Sequence, residues 1–342
     1  MLEHLKFERL RNWLYTVATI NFGYRIKELL LKKRFHSKIT TDSPLFIFST
    51  GRAGSYLLYD LLSLSNDFLT VHSDQRGNRG FFNSKNLQDR SNYSKNSKNQ
   101  FPVEGNYIWK QAGLSFRKLN ENPGTINDLI KKKASIERKV LANYKFHLRS
   151  KTPVEKRRIL DKSPSFSLSY KLVDAIFPDA KYINIVRDPR AVLNSYIKKI
   201  RPPKNDMDKY RFKKYGYWGH PPPNWRQHKD ESLVQRMCWQ VSKKYEMNQK
   251  CEDFLDGKYL RVHYEDFVED PHKIIEQTSK FGNFSCQEIF EVLPDHFTNY
   301  NPPWFDKNGN LDNKSKDKLF IKEEEYAEIK YIDKYVEELG YS

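Results

Sequence analysis

Two short stretches place cations, glycines and hydroxyls at spacings suited to holding an anion. The first is Ser49-Thr50-Gly51-Arg52-Ala53-Gly54-Ser55-Tyr56, which follows an apolar run and precedes Leu57, Leu58, Leu61, Leu62 and Leu64 at helical spacing. A glycine turn that opens a helix directs backbone N–H groups, and the positive end of the helix dipole, at whatever lies above it. The same glycines are equally what a tight strand-to-helix turn needs for conformation alone. A kinase or GTPase loop requires G-x-x-x-x-G-K-[ST]; here Ser55 and Tyr56 follow Gly54, and the cation, Arg52, precedes it. In the second stretch Arg187 closes the apolar run Lys181 to Val186, Asp188-Pro189 opens a helix, and Ser195 lies eight residues beyond Arg187. An arginine at a strand end forks two hydrogen bonds to a phosphate and a nearby serine adds a third. The competing reading pairs Arg187 with Asp188 or another carboxylate at the sheet edge.

The elements that must position these groups are strands separated by helices. Leu45 to Ser49, Arg158 to Asp161, Lys181 to Val186 and Tyr259 to His263 read as strands, and Phe68 to Val71 as a further one. Helices are expected over Ser55 to Leu64, near 125 to 148, from about Pro164, from Asp188-Pro189, and from Pro271 to Phe281. That alternation argues for an α/β fold with a parallel sheet covered on both faces, in which ligands bind beyond the carboxyl ends of the strands. Residues 1–43 read as a basic helical segment and residues 44–342 as one domain. Within it, 83–100 is a mobile loop rich in Asn, Ser and Lys, 201–228 an aromatic, basic lid, and 285–342 a C-terminal extension.

The chain has 342 residues and a net charge of +17, which calls for an anionic partner without choosing among nucleic acid, a phosphorylated cofactor, an acidic polysaccharide and a membrane. Three cysteines, Cys238, Cys251 and Cys286, show no metal-binding spacing, and no apolar run reaches the eighteen residues of a membrane span. A cytoplasmic location is the expectation. Residues 5–31 carry Leu10, Trp13, Leu14 and Val17 among Lys6, Arg9, Arg11, Arg25 and Lys27. Such a helix either packs on its own domain or makes peripheral contact with an anionic membrane.

The first stretch resembles the 5′-phosphosulfate loop of sulfotransferases that use 3′-phosphoadenosine 5′-phosphosulfate (PAPS), with Arg52 at the basic position and Ser55 at the hydroxyl position. Tyr56 stands where many members have a second hydroxyl or small residue. Val186 to Ser195 resembles the family's 3′-phosphate motif, with Arg187 and Ser195 in its arginine and serine places. Tyr264-Glu265-Asp266-Phe267 before Asp270-Pro271 is similar to the family's last strand and helix, so the resemblance spans roughly residues 44 to 282. It implies a three-layer α/β sandwich with a central parallel sheet, a P-loop NTPase-like sulfotransferase fold. It also implies PAPS as cofactor, held by Gly51, Arg52, Ala53, Gly54, Ser55, Tyr56, Arg187 and Ser195, adenosine 3′,5′-bisphosphate as product, and no metal.

Sulfuryl transfer needs an acceptor in line with sulfur, cations for the leaving phosphate and a base for the acceptor proton. Asp74, 22 residues after Arg52, resembles the position of the glutamate base in heparan-type members. His72 is the next candidate, because the cytosolic branch uses histidine; both also suit a surface or capping role. Lys162, in Leu160-Asp161-Lys162-Ser163-Pro164, resembles an active-site lysine element of carbohydrate sulfotransferases, and with Arg52 it would stabilise developing charge; its other reading is a solvated lysine ahead of a helix. Tyr210 to His228, with Tyr215, Tyr217, Trp218, His220 and Trp225, suits stacking on sugar rings or packing on itself. The expected acceptor is a glycan, a glycolipid or a small hydroxylated molecule. A nucleic-acid-binding protein is the first alternative, but no recognised binding motif occurs and the charge is spread, so no nucleic acid is expected. A degenerate P-loop phosphotransferase is the second, and it lacks the loop lysine and a second acidic motif. Asn301 to Lys318, with Trp304, Lys307 and Lys314, sits where the family closes a basic loop over the cofactor, without a specific match.

Overall fold

The structure is a computed structural model that describes residues 43–73, 79–81, 101–102, 106–114, 119, 124–146, 158–201, 212, 216–217, 219, 221–291 and 330–341. The basic segment 5–31, the loop 83–100, Asp74, most of 202–220 and the stretch 301–318 lie outside the described residues. In chain order come β1 (Leu45–Phe48), α1 (Ser55–Leu62), β2 (Phe68–Leu69), β3 (Val71–Ser73), β4 (Arg79–Phe81) and β5 (Phe101–Pro102). Helices α2 (Asn106–Gln111), α3 (Thr125–Ile130) and α4 (Lys133–Phe146) lead to β6 (Arg158–Lys162), α5 (Tyr170–Ile176), β7 (Lys181–Val186) and α6 (Pro189–Ile200). The remainder is α7 (Leu233–Phe254), β8 (Tyr259–His263), α8 (Tyr264–Glu269), α9 (Pro271–Gly282) and α10 (Lys330–Glu338).

Five strands form a parallel sheet in the order β2-β6-β1-β7-β8. Its centre, β1, is apolar at every position because both faces are covered. Leu45 and Ile47 pack with Leu58 and Leu61 of α1 and Ile274 and Ile275 of α9. Phe46 and Phe48 point the other way, into a cluster with Trp109, Val140, Phe166, Val173 and Phe177. The Phe46 ring meets Phe166 edge-on at 5.2 Å and Trp109 at 6.1 Å. This is the expected α/β sandwich of helix, sheet and helix. A third cluster joins Val186 at the end of β7 to α6, α7 and α10 through Leu193, Tyr196, Met237, Val241 and Ile332.

Local signals fix the helix starts. Asp188 caps α6 by accepting the Arg190 amide at 2.8 Å with Pro189 in the first turn, and Asp270 caps α9 by accepting Lys273 N at 2.9 Å ahead of Pro271. Ser232 and Gln235 form a reciprocal capping box on the 22-residue α7.

Two expectations are corrected. Phe68 to Val71 is not one strand: Phe68–Leu69 pairs with Arg158–Ile159, whereas Val71–Ser73 joins a separate antiparallel sheet of order β4-β3-β5. The two pieces serve different partners, so the chain breaks at Thr70. The helical region expected near 125 to 148 is present, as the two helices α3 and α4. The helix expected at Pro164 begins as a single 3-10 turn, Phe166–Leu168, because Ser163 Oγ accepts the Ser165 amide at 3.2 Å and makes a turn first. Among the described residues no helix is long and apolar enough to cross a membrane.

Candidate functional site at the strand ends

The turn from β1 to α1 is built from left-handed backbone: φ is +85° at Gly51, +63° at Arg52 and +88° at Gly54. Glycine is required at position 54 twice over. Its φ suits no ordinary residue, and a Cβ there would stand 2.4 Å from the Tyr264 ring. Ser49 Oγ accepts the Gly51 amide at 3.1 Å and donates to Ser55 Oγ at 3.0 Å, so the turn is braced from within. Tyr196 OH donates to Thr50 O, and Lys244 Nζ donates to Tyr196 OH at 3.0 Å, which braces it from below. Burial pushes the Tyr196 phenol well above its ordinary range, so it remains a neutral donor.

At the end of β7, Arg187 is buried, with 5% of its surface exposed. Its guanidinium lies 4.4 Å over the Tyr264 ring, and its Nη1 donates to Arg52 O at 3.4 Å. Tyr245 OH donates to the Arg187 carbonyl. Asp188 does not serve as the partner of Arg187: its carboxylate caps α6 and takes the Arg190 guanidinium at 2.8 Å. From the first turns of α6 Ser195 accepts the Arg52 Nε–H at 3.0 Å, closing a gap of 143 residues in sequence. The two stretches singled out in the sequence therefore meet, and Arg52 and Arg187 stand side by side.

Lys162 ends β6, which pairs Lys162 with Ile47 of β1. It is buried, not a solvated lysine, and its Nζ lies 5.6 Å over the ring of Tyr56 in the first turn of α1. Its neighbour Asp161 is structural: the carboxylate accepts from Trp109 Nε1 at 3.1 Å, from Tyr144 OH and from the Lys162 amide at 2.7 Å. Burial and that carboxylate push the Tyr144 phenol far up, so it donates.

His72 lies in β3, opposite Gly80 and Pro102, and so belongs to the small antiparallel sheet, not to the parallel one. Tyr217, from the aromatic segment, is fully buried against Trp225 and Trp239 and its hydroxyl donates to Trp225 O at 3.0 Å. That ring is core, not a stacking surface. Missed from sequence were Tyr196, Lys244, Tyr245 and the role of Tyr264 as the floor under both Gly54 and Arg187. Tyr264 opens α8 directly after β8, a strand-end position that the sheet order would have flagged. Among the described residues no cluster of His, Cys, Asp and Glu has the form of a metal site.

Adjacent strands β6, β1, β7 and β8 thus deliver Lys162, Arg52, Arg187 and Tyr264 to one rim. A cationic rim around a glycine-built helix start, at the strand ends of an α/β sheet, is an arrangement suited to an anionic ligand. The sulfotransferase family model matches residues 44–284, and the chain belongs to that family. Among solved structures, a sulfotransferase from Mycobacterium avium superposes with a TM-score of 0.53 at 13% identity, covering 91% of this chain and 81% of that one. A sulfotransferase from Mycobacterium tuberculosis H37Rv gives 0.49 at 14% identity, with 83% and 76% covered. The sulfotransferase domain from the curacin biosynthetic pathway gives 0.42 at 17%, with 76% and 78% covered. At such identities the first of these supports the fold alone. No curated protein matches the chain.

Proposed function

We propose that the chain transfers a sulfuryl group from PAPS to a hydroxyl or amine of an acceptor. The observation that carries this reading is the meeting of Arg52, Ser195 and Arg187, which brings donors from two distant turns to one rim. The donor set fits the group: two guanidiniums, an ammonium and two serine hydroxyls face the rim. The nearby carboxylates of Asp161 and Asp188 are engaged elsewhere, with Trp109 and Tyr144 in one case and Arg190 in the other. When bound, PAPS would supply an activated sulfuryl group on a phosphate leaving group.

Gly51 to Tyr56 would hold the 5′ end through backbone amides and the Ser55 hydroxyl. Arg187 and Ser195 would hold the 3′-phosphate. Arg52 and Lys162 flank the turn and would stabilise negative charge that grows on the leaving side. Asp74, or else His72, would take the acceptor proton. The Lys162 element favours a glycan or glycolipid acceptor over a small hydroxylated molecule. We further propose a cytoplasmic enzyme that needs neither metal nor nucleic acid, with residues 5–31 as a candidate peripheral membrane contact.

Calorimetry with adenosine 3′,5′-bisphosphate and AMP tests the cofactor. Wild-type chain should prefer the bisphosphate, and Arg187→Ala should weaken the bisphosphate by about 100-fold, the loss expected for a charged, forked phosphate contact, while hardly changing AMP. Equal losses for both nucleotides would remove the role assigned to Arg187. Absence of any preference in the wild type would remove PAPS.

A further inference from the structure

Behind Arg187 lies a second network that the proposed reaction does not use. Helix α10 ends in a reciprocal turn: Gly340, at φ +76°, donates to Glu337 O at 2.9 Å, and the Tyr341 amide donates to Val336 O at 2.8 Å. That turn aims Tyr341 at the ends of β7 and β8. Its hydroxyl donates to Glu265 Oε2 at 2.6 Å and lies 3.1 Å from His263 Nδ1. A phenol has one proton, which it directs at the carboxylate, so its oxygen accepts from His263 through the Nδ1–H tautomer. Burial and the Glu265 charge push the phenol well above its ordinary range, which keeps that proton in place. The Tyr341 carbonyl accepts Arg190 Nη2 at 2.7 Å, the guanidinium that also holds Asp188. The other oxygen of Glu265 accepts the Asp188 amide at 3.3 Å.

Tyr341 therefore bonds Glu265 directly and reaches Asp188 through Glu265 and Arg190; Asp188 succeeds Arg187, and Glu265 succeeds Tyr264, the ring on which Arg187 rests. We infer that Tyr341, acting through Glu265, is a positioning residue that sets the direction of Arg187 and so the selectivity for a 3′-phosphate. This rests on the cofactor reading above. The sequence distance hides it, since Tyr341 and Glu265 are 76 residues apart.

The test is calorimetry of adenosine 3′,5′-bisphosphate and AMP with the full chain, its Tyr341→Phe, Glu265→Ala and double variants, and thermal unfolding of each. Tyr341→Phe should reduce the preference for the bisphosphate about tenfold, as expected for one hydrogen bond to a charged group, with AMP affinity unchanged. The double variant should lose no more selectivity than Glu265→Ala, because the phenol acts through that carboxylate. Preference retained in Tyr341→Phe overturns the inference and leaves the cofactor reading standing. Equal weakening of both nucleotides alongside a lower melting temperature also overturns it, since that is support of the fold alone. A wild-type chain without preference overturns both.

Discussion

The turns after β1 and β7 hold the same kind of charge by opposite means. The first is main chain: three consecutive-region residues at positive φ, a glycine pressed on Tyr264, and an arginine whose own backbone is left-handed. The second is side chain: an arginine laid on an aromatic ring, followed by Asp188 and Pro189 in ordinary helix-start geometry. A main-chain site is specified by what is missing, a Cβ, and tolerates change where side chains point outward. A side-chain site is specified by identity and tolerates change in the backbone that carries it.

The sharpest way to break that contrast is Gly54→Ala. A left-handed conformation costs a non-glycine residue about 1–2 kcal/mol, and forcing a methyl into the Tyr264 ring adds about 1–3 kcal/mol. Urea unfolding should therefore show a loss of roughly 2–5 kcal/mol, together with loss of nucleotide binding. An unshifted midpoint would mean that the turn is not held by that contact. Next comes Arg52→Ala, which leaves the left-handed backbone as it is, since alanine also carries a Cβ, and removes only the guanidinium. Turnover should fall about 100-fold with nucleotide affinity moving much less, the signature of charge stabilisation in the transition state; preserved turnover would make Arg52 a mere bridge to Ser195. The smallest effect belongs to Asp188→Ala, which removes the α6 cap and should lower stability by about 1 kcal/mol in the same unfolding assay. A larger loss would show that Asp188 supports Arg187 as well as the helix.

Much of this rim was readable before any coordinates. Leu45 to Phe48 is an unbroken apolar run, Lys181 to Val186 is apolar apart from Lys181 and Asn184, Tyr259 to His263 sets Tyr259, Leu260 and Val262 around Arg261, and the Asp-Pro pairs at 188 and 270 mark helix starts, so three strand-to-helix units follow from local chemistry. Arg52, Ser195 and Arg187 were found because their types and spacing carry meaning within each unit. The rest depended on tertiary packing. Helix α7 mixes Lys, Gln and Glu with its buried Met237, Val241 and Tyr245, so its one apolar edge is weak in sequence, and Lys244 looks like any surface lysine although it is buried under Tyr196. Strands of two and three residues, as in β2 to β5, are too short for periodicity to register. Phe68 to Val71 reads as one strand for that reason.

The position of β1 in the middle of the sheet has a consequence for how the molecule is made. Its neighbours in register, Leu160 in β6 and Lys181 in β7, are synthesised long after Leu45. During translation, four residues that end fully enclosed emerge with neither flanking strand available, and no hairpin can shelter them because every pairing in this sheet is parallel. Closure of those loops has to precede any reward from pairing, so folding is late and slow, and Leu45–Phe48 is the segment that a chaperone would have reason to cover.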